Sequence, residues 1–340
     1  MRIFAYKHLI CKNERFNDYD VLYPELIIDI LKYFHVSNGI NGTNVVNFCT
    51  AHTPQGAQEL IQPAIIAKIC DILCNNNIMS LIKGGTTMGL NNNYGYAGDL
   101  NALVSKKDEM SHYYNSVVYG FEYVYNFYKN RVIPIIAYTK DKKPMMGSCF
   151  KFLNGIVTAK HCLEDGAYVS IPGYSKKLLS QAKIYISDNY AIDIAYIDLS
   201  QKTEQVFIQS PQVLDDVLVM GYPMIPRFLN FLTVEKATVS SLANVRFAPS
   251  RGAITSIASE MFTQNVTQLM LITARITGGN SGGPVINKYG SIVGVAISDT
   301  MAEGEGYDEL GYGVAIPIEV INTIIAQKHE MSVCFEDFHE

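Results

Sequence analysis

Short β-branched runs recur about every ten residues through the second half of the chain, and this pattern constrains the fold more than any other feature. The runs lie at 132–138, 149–157, 167–171, 182–186, 192–199, 216–220, 232–240, 268–276, 284–298 and 312–316. Gly, Pro, Asn and Asp separate them, and these residue types favour turns. The pattern therefore predicts an all-β sandwich or barrel. Helical spacing of apolar residues predicts a closing helix over 318–327.

The first third of the chain has a helical pattern instead. Apolar residues at helical spacing predict a helix over 22–35, and Thr53 followed by Pro54 predicts the start of a second, short one. Pro63 begins a third predicted helix, which the Asn triplet at 75–77 ends. Residues 78–83 and 86–88, separated by a Gly-Gly turn, predict a hairpin. Three short helices and a hairpin are typical of a winged-helix-like module, which we assign to residues 1–110.

A Tyr-rich stretch over 111–130 is predicted to be a helical connector between the two halves. Beyond it, residues 131–328 form the predicted β domain, and residues 329–340 are interpreted as a tail. The fold class expected for the whole chain is α+β, with a mainly helical N-terminal module and an all-β C-terminal domain that ends in a helix.

Composition and charge exclude several classes of protein. Hydrophobic residues make up 48% of the chain and charged residues 17%, which excludes a disordered protein. The net charge is −5, and residues 1–110 hold nine Lys/Arg against ten Asp/Glu. Because phosphate contacts need clustered positive charge, these values disfavour nucleic-acid binding, and a protein-contact or regulatory module is the better interpretation. The sequence has no apolar run long enough for a membrane helix, so we expect a cytoplasmic protein.

The seven cysteines do not form a recognisable framework. Their number is odd and they are scattered, which does not indicate a set of disulfides. Cys70 and Cys74 lie one helical turn apart, but no second Cys/His pair accompanies them at zinc spacing. We interpret them as core thiols. The sequence predicts no metal and no organic cofactor.

Three polar motifs interrupt the β half in a fixed order. His161 follows an apolar strand, Asp193 lies between two isoleucines, and Ser281 lies in the run Thr-Gly-Gly-Asn-Ser-Gly-Gly-Pro-Val over 277–285. Glycines permit a sharp turn there, at which backbone N–H groups can converge beside the serine. A serine needs an adjacent base to act as a nucleophile, and His161 is the only histidine between residues 131 and 328. A carboxylate in an apolar strand needs a partner, which an imidazole would supply.

With these motifs in this order, residues 130–328 resemble the trypsin-fold (chymotrypsin-like) serine peptidases, in particular the bacterial high-temperature-requirement type. The resemblance implies a double β-barrel and protein or peptide substrates. It implies that His161 is the general base, Asp193 its orienting acid and Ser281 the nucleophile. The backbone N–H groups of Gly279 and Ser281 would then bind the oxyanion. Asp188 and Asp198 also lie near the expected acid, and we interpret them as surface or turn residues.

Two departures from the extracellular trypsins are visible in the sequence. Those enzymes have an Asp directly before the nucleophile, which captures a new N-terminus after cleavage, whereas this chain has Asn280. We therefore expect activity without N-terminal processing. Cys162 takes the position of a disulfide cysteine, but Cys149 is out of register for its partner, and a reducing compartment disfavours the pair.

The resemblance also indicates residues of a substrate pocket. Arg275, six residues before the nucleophile, would lie at its base and either select acidic side chains or extend outward to solvent, which is the interpretation we favour. Ile297, Ser298 and Gly313 would form the walls.

The sequence thus predicts a serine endopeptidase whose N-terminal module regulates activity or recruits partners. The alternative is a catalytically silent trypsin-fold adaptor or transcriptional regulator that acts through the N-terminal module. An intact set of three catalytic residue types argues against that alternative.

Overall fold

The computed structural model describes ten segments of the chain, and all structural statements below concern these segments. They are residues 25–39, 43–52, 62–85, 91–141, 144–164, 166–201, 205–223, 247–259, 268–297 and 312–338. The chain divides into two compact units, Met1–Val124 and Tyr125–Glu340. None of the helices in the described segments is both long enough and apolar enough to span a membrane.

The N-terminal unit is mainly helical. It contains α1 (Leu26–Tyr33), a 3-10 turn (Val36–Asn38), α2 (Val45–His52), α3 (Pro63–Asn75), β1 (Ser80–Lys83), β2 (Asn93–Gly95), α4 (Leu100–Ser105) and the beginning of α5 (Lys107–Tyr128). Helix α1 lies within the helix predicted over 22–35, and α3 has the predicted bounds. The helix predicted from Thr53 and the strand predicted over 86–88 lie outside the described residues. The partner of β1 is β2, at 93–95.

The predicted connector over 111–130 is divided between the two units. Gly120 interrupts α5 with a φ of 64° and a ψ of −150°. Before it, the Tyr114 hydroxyl lies 3.2 Å from that of Tyr96, and both rings are buried in the N-terminal unit. At its end, the Tyr128 hydroxyl donates to the Gly290 carbonyl at 2.8 Å within the second unit. The division falls at 124/125 instead of 110 because these tyrosines are core residues.

The second unit is built from short strands, as the sequence predicts, and neighbouring strands pair in antiparallel fashion. They are β3 (Val132–Tyr138), β4 (Pro144–Phe152), β5 (Gly155–Thr158), β6 (Tyr168–Ser170), β7 (Lys183–Ile186), β8 (Ala195–Asp198), β9 (Asp216–Gly221), β10 (Ala248–Ser259), β11 (Gln268–Ile272), β12 (Pro284–Asn287), β13 (Ile292–Ile297), β14 (Gly313–Pro317) and β15 (His329–Met331). Three short helices accompany them: α6 (His161–Glu164), α7 (Lys176–Leu179) and α8 (Val320–Gln327). The last is the predicted C-terminal helix.

These strands form two sheets. One is a closed barrel in the order β10-β11-β14-β13-β12-β9, and the other is a seven-stranded sheet in the order β15-β7-β8-β5-β4-β3-β6. The runs predicted at 149–157 and 284–298 are each divided between two strands. The run predicted at 232–240 lies outside the described residues. Strand β10 was not predicted, because Pro249 and Gly252 interrupt its apolar pattern.

Residues 329–340 were predicted to be a tail, and that prediction is wrong. Strand β15 pairs with β7 at one edge of the seven-stranded sheet. At the other edge, the Val169 N–H donates to the Cys334 carbonyl at 2.8 Å, and the Glu336 N–H donates to the Val169 carbonyl at 3.0 Å. Phe335 is 2% exposed and lies in the core of this sheet. The C-terminal segment bridges both edges because each offers unpaired backbone groups.

Candidate active site

The pairing of β5 with β8 brings His161 and Asp193 together. Thr158 at the end of β5 lies opposite Ala195 at the start of β8, so the residues just beyond each strand meet. The His161 Nδ1 lies 2.5 Å from Asp193 Oδ2, and the backbone N–H of His161 donates to Oδ1 at 2.9 Å. Both carboxylate oxygens therefore hold the histidine, and Nε2 is the ring nitrogen left for chemistry.

The surroundings of His161 favour its protonated form. Burial by itself lowers the pKa of the imidazole, because it penalises the charge. The hydrogen bonds to Asp193 and to the Cys162 side chain oppose this effect, and the pKa rises to about 10. An imidazolium at this position is thus stabilised, which is what a base needs when it takes a proton.

Ser281 lies in a tight turn that only glycine can complete. The Asn280 N–H donates to the Thr277 carbonyl at 3.0 Å and closes the turn. Gly282 has a φ of 85°, and a Cβ there would overlap the Ser148 carbonyl oxygen. Any side chain at this position would collide with β4, so the glycine allows the turn to press against the neighbouring strand. Ser281 itself is 2% exposed.

This turn packs directly against the segment that carries His161. The Ser148 N–H donates to the Ser281 carbonyl at 2.7 Å. The Cys162 thiol, on the residue after the histidine, lies 3.7 Å from the same carbonyl oxygen. The structure therefore brings the sequence-predicted base, acid and nucleophile into one region, between the seven-stranded sheet and the closed barrel.

Comparison with known proteins finds a family match within the second unit. Residues 147–295 match the family described as the trypsin-like peptidase domain. A curated relative, the chloroplastic Protease Do-like 2 of Arabidopsis thaliana, is 26% identical over 185 residues, which cover 52% of this chain. The match covers 27% of that relative, so the chain spans about a quarter of its length.

Solved structures with similarity to the chain include two proteases. The Rv3671c protease of M. tuberculosis in its active form has a TM-score of 0.44 and 18% identity, and the match covers 62% of this chain and 86% of that one. An HtrA-type protease, AlgW, solved with a tripeptide, has a TM-score of 0.43 and 16% identity. That match covers 60% of this chain and 62% of the other.

Within the matched segment, the residue before Ser281 is a buried neutral amide. Asn280 is 3% exposed, and its Oδ1 has no hydrogen-bond partner in the part of the chain that the structure describes. An amide cannot form an ion pair with an ammonium group. The sequence-based expectation of activity without N-terminal processing stays a prediction.

The residues predicted to form the substrate pocket have different environments. Arg275 is exposed, and Ile297 is partly buried against the core of the seven-stranded sheet. Gly313 faces Ile276, because a Cβ at Gly313 would lie 2.7 Å from the Ile276 Cδ1. Ser298 lies outside the described residues. The sequence pattern did not indicate Ile276, since its contact with Gly313 depends on the pairing of β14 with β11.

The remaining sequence assignments concern acids, thiols and metals. Asp188 lies 2.8 Å from the His329 ring, and Asp198 accepts from the Ser200 N–H at 2.8 Å, so both are engaged away from His161. Cys149 and Cys162 are free thiols. Within the described segments, no cluster of three or more His, Cys, Asp or Glu side chains could hold a metal ion.

Proposed function

We propose that the chain is a serine endopeptidase in which Ser281 is the nucleophile, His161 the general base and Asp193 the acid that orients it. The observation that carries the proposal is the double contact of Asp193 with the ring and the backbone of His161. The bond to Nδ1 fixes the tautomer of the ring, and the bond from the backbone N–H holds the carboxylate in place, so that Nε2 can face a serine hydroxyl. The trypsin-like peptidase domain supports protein or peptide substrates.

The reaction would proceed by acyl transfer. The Ser281 hydroxyl oxygen bonds to the substrate carbonyl carbon while His161 Nε2 takes its proton, and the carbonyl π electrons move to the oxygen. The N–H groups of Gly279 and Ser281 would stabilise that oxyanion. The imidazolium then gives its proton to the leaving amine as the peptide C–N bond breaks. Water repeats the sequence on the acyl-enzyme and releases the acid.

A fluorophosphonate probe tests this proposal directly. We expect covalent labelling of the full chain at Ser281, absent in Ser281→Ala and strongly reduced in His161→Ala. Ser250→Ala on β10 is the matched control and should label like the wild type. A folded wild-type chain that does not label would refute the proposal and favour the silent adaptor or transcriptional regulator. Equal labelling of Ser281→Ala would refute the choice of nucleophile.

We further propose that the N-terminal unit regulates the peptidase or recruits its partners. Helix α5 begins in the N-terminal unit and ends in the second, where its last residue, Tyr128, is anchored to Gly290. A protein partner that prefers one of two conformations about the break at Gly120 could shift the equilibrium between them. The charge balance of residues 1–110 supports a protein partner over nucleic acid.

The test compares peptide turnover by the full chain with turnover by a shortened chain that begins after Gly120. Faster turnover by the shortened chain would support inhibition by the N-terminal unit. Equal turnover, with and without cell extract, would exclude inhibition and leave recruitment as its role.

A further inference from the structure

Ser148 occupies a central place in the hydrogen bonding around the nucleophile. We propose that Ser148 is a positioning residue, whose side-chain hydroxyl holds the Gly279 carbonyl and so fixes the turn that presents the oxyanion donors. This inference rests on the proposed function. In the sequence, Ser148 lies shortly before the strand that leads to the histidine, and no local pattern gives it a role.

Four hydrogen bonds link this residue to three parts of the site. Its hydroxyl donates to the Gly279 carbonyl at 2.7 Å and accepts from the Tyr222 N–H at 2.9 Å. Its backbone N–H donates to the Ser281 carbonyl at 2.7 Å, and its carbonyl accepts from the Thr158 hydroxyl at 2.8 Å. Ser148 thus connects the nucleophile turn, the end of β9 and the strand that leads to the base.

The hydroxyl has one proton, and its surroundings decide where that proton points. Because the Tyr222 N–H occupies a lone pair of the hydroxyl oxygen, the O–H is left to donate to Gly279. Ser148 is 0% exposed, so water does not compete for either bond. A hydrogen bond in such surroundings is stronger than at the surface, and its loss leaves a buried carbonyl unsatisfied.

The turn needs this external restraint because glycine supplies none. Gly279 has a φ of 96° and follows another glycine, so the peptides on both sides of it can rotate at low cost. The bond from Asn280 to Thr277 closes the turn but does not hold the Gly279 carbonyl. With the Ser148 hydroxyl in place, the Gly279–Asn280 peptide is held, which restricts rotation about Gly279 and so limits the directions open to its N–H.

The expected consequence is a change in kcat with little change in KM. Removal of an oxyanion donor lowers kcat by about 10² to 10³, and loss of a residue that positions the donor should lower it by about tenfold or more. KM should stay near its wild-type value, because the oxyanion exists only in the transition state. The midpoint of the pH profile should not move, because the four hydrogen bonds of Ser148 do not involve the His161 ring.

The experiment compares Ser148→Ala with Ser170→Ala in the full chain. Ser170 is the matched control, since it is 2% exposed and its hydroxyl also donates to a backbone carbonyl, that of Glu336, at 3.1 Å. Two readouts are needed: peptide kinetics, and backbone hydrogen–deuterium exchange of a fragment over 277–283. We expect lower kcat and faster exchange of this fragment in Ser148→Ala, and neither change in Ser170→Ala.

The exchange measurement separates failure of this inference from failure of the proposed function. If the wild type shows no peptidase activity but the fragment exchanges faster in Ser148→Ala, the proposed function fails and the positioning role stands. If kcat falls equally and the fragment exchanges equally fast in both variants, Ser148 has only a structural role and the inference is overturned. Unchanged exchange and unchanged kcat in Ser148→Ala overturn it as well.

Discussion

Replacement of Asp193 by Asn tests the link between the geometry around His161 and its chemistry. The amide keeps the size of the side chain but removes the charge, and it offers one acceptor oxygen where the carboxylate offers two. In the native structure one oxygen takes the ring Nδ1 at 2.5 Å and the other takes the backbone N–H at 2.9 Å. The substituted amide could satisfy only one of these donors, so the ring would lose its fixed tautomer.

The size of the effect follows from the raised pKa of His161. Burial lowers this pKa and the bonds to Asp193 and Cys162 raise it, with a net rise from 6.5 to about 10. Such a rise corresponds to roughly 5 kcal/mol in favour of the imidazolium. Because neutral imidazole is the base under the proposed function, wild-type kcat/KM should increase with pH well above 6.5. Loss of the carboxylate should lower the pKa of His161, so that kcat/KM begins to rise at a lower pH. At the same time, kcat should fall by about 10⁴.

The same pair also affects stability, and the sign follows from linkage. Since the folded pKa of His161 lies above 6.5, its stabilisation is fully present below pH 6.5 and is lost as the pH rises toward 10. Asp193→Asn should therefore show a smaller loss of stability over this window than the wild type. Thermal unfolding of both proteins at about pH 6 and at about pH 9 measures how much stability each loses across most of this window.

The assay records kcat/KM from about pH 5 to about pH 10 for wild type and Asp193→Asn. Asp198→Asn is the control, because Asp198 accepts a backbone N–H two residues ahead of it and does not contact His161. It should match the wild type in both rate and midpoint. A wild-type profile already flat above pH 6.5, or an Asp193→Asn profile with an unchanged midpoint, would refute the reasoning.

Three further predictions concern the turn, the C-terminal segment and processing. Gly282→Ala should destabilise the fold far more than Gly173→Ala in thermal unfolding, since both have a φ of 85° but only the first lacks space for a Cβ; equal losses would contradict the steric argument. Phe335→Ala should cost about 3–5 kcal/mol in denaturant unfolding, because the ring fills a core, and a loss below about 1 kcal/mol would contradict a structural role for the C-terminal segment. Intact mass spectrometry of active enzyme should show an uncut chain, since Asn280 cannot pair with an ammonium group; a required cut near Arg131 would contradict this.

Much of the second unit is predictable because its signals are local. Alternating apolar runs and turn residues predict most of its strands, since side chains in a strand alternate between faces. The glycines around Ser281 predict a sharp turn because glycine adopts backbone angles that other residues avoid, and Gly282 does adopt such a φ. The C-terminal segment escaped prediction although Met331, Val333 and Phe335 recur at every second position, because so short a run has no marked turn before it.

The sequence by itself determined the order of His161, Asp193 and Ser281 along the chain. It also determined the turn around Ser281 and the succession of strands. These features depend on residues that are neighbours in the chain. Only the tertiary structure decided that Ser148 holds Gly279, across 131 residues, and that Ser170 binds Glu336, across 166. It also decided that the division between units lies inside α5. Such contacts arise when separate elements pack to bury their apolar faces, and that packing selects polar partners which no local pattern specifies.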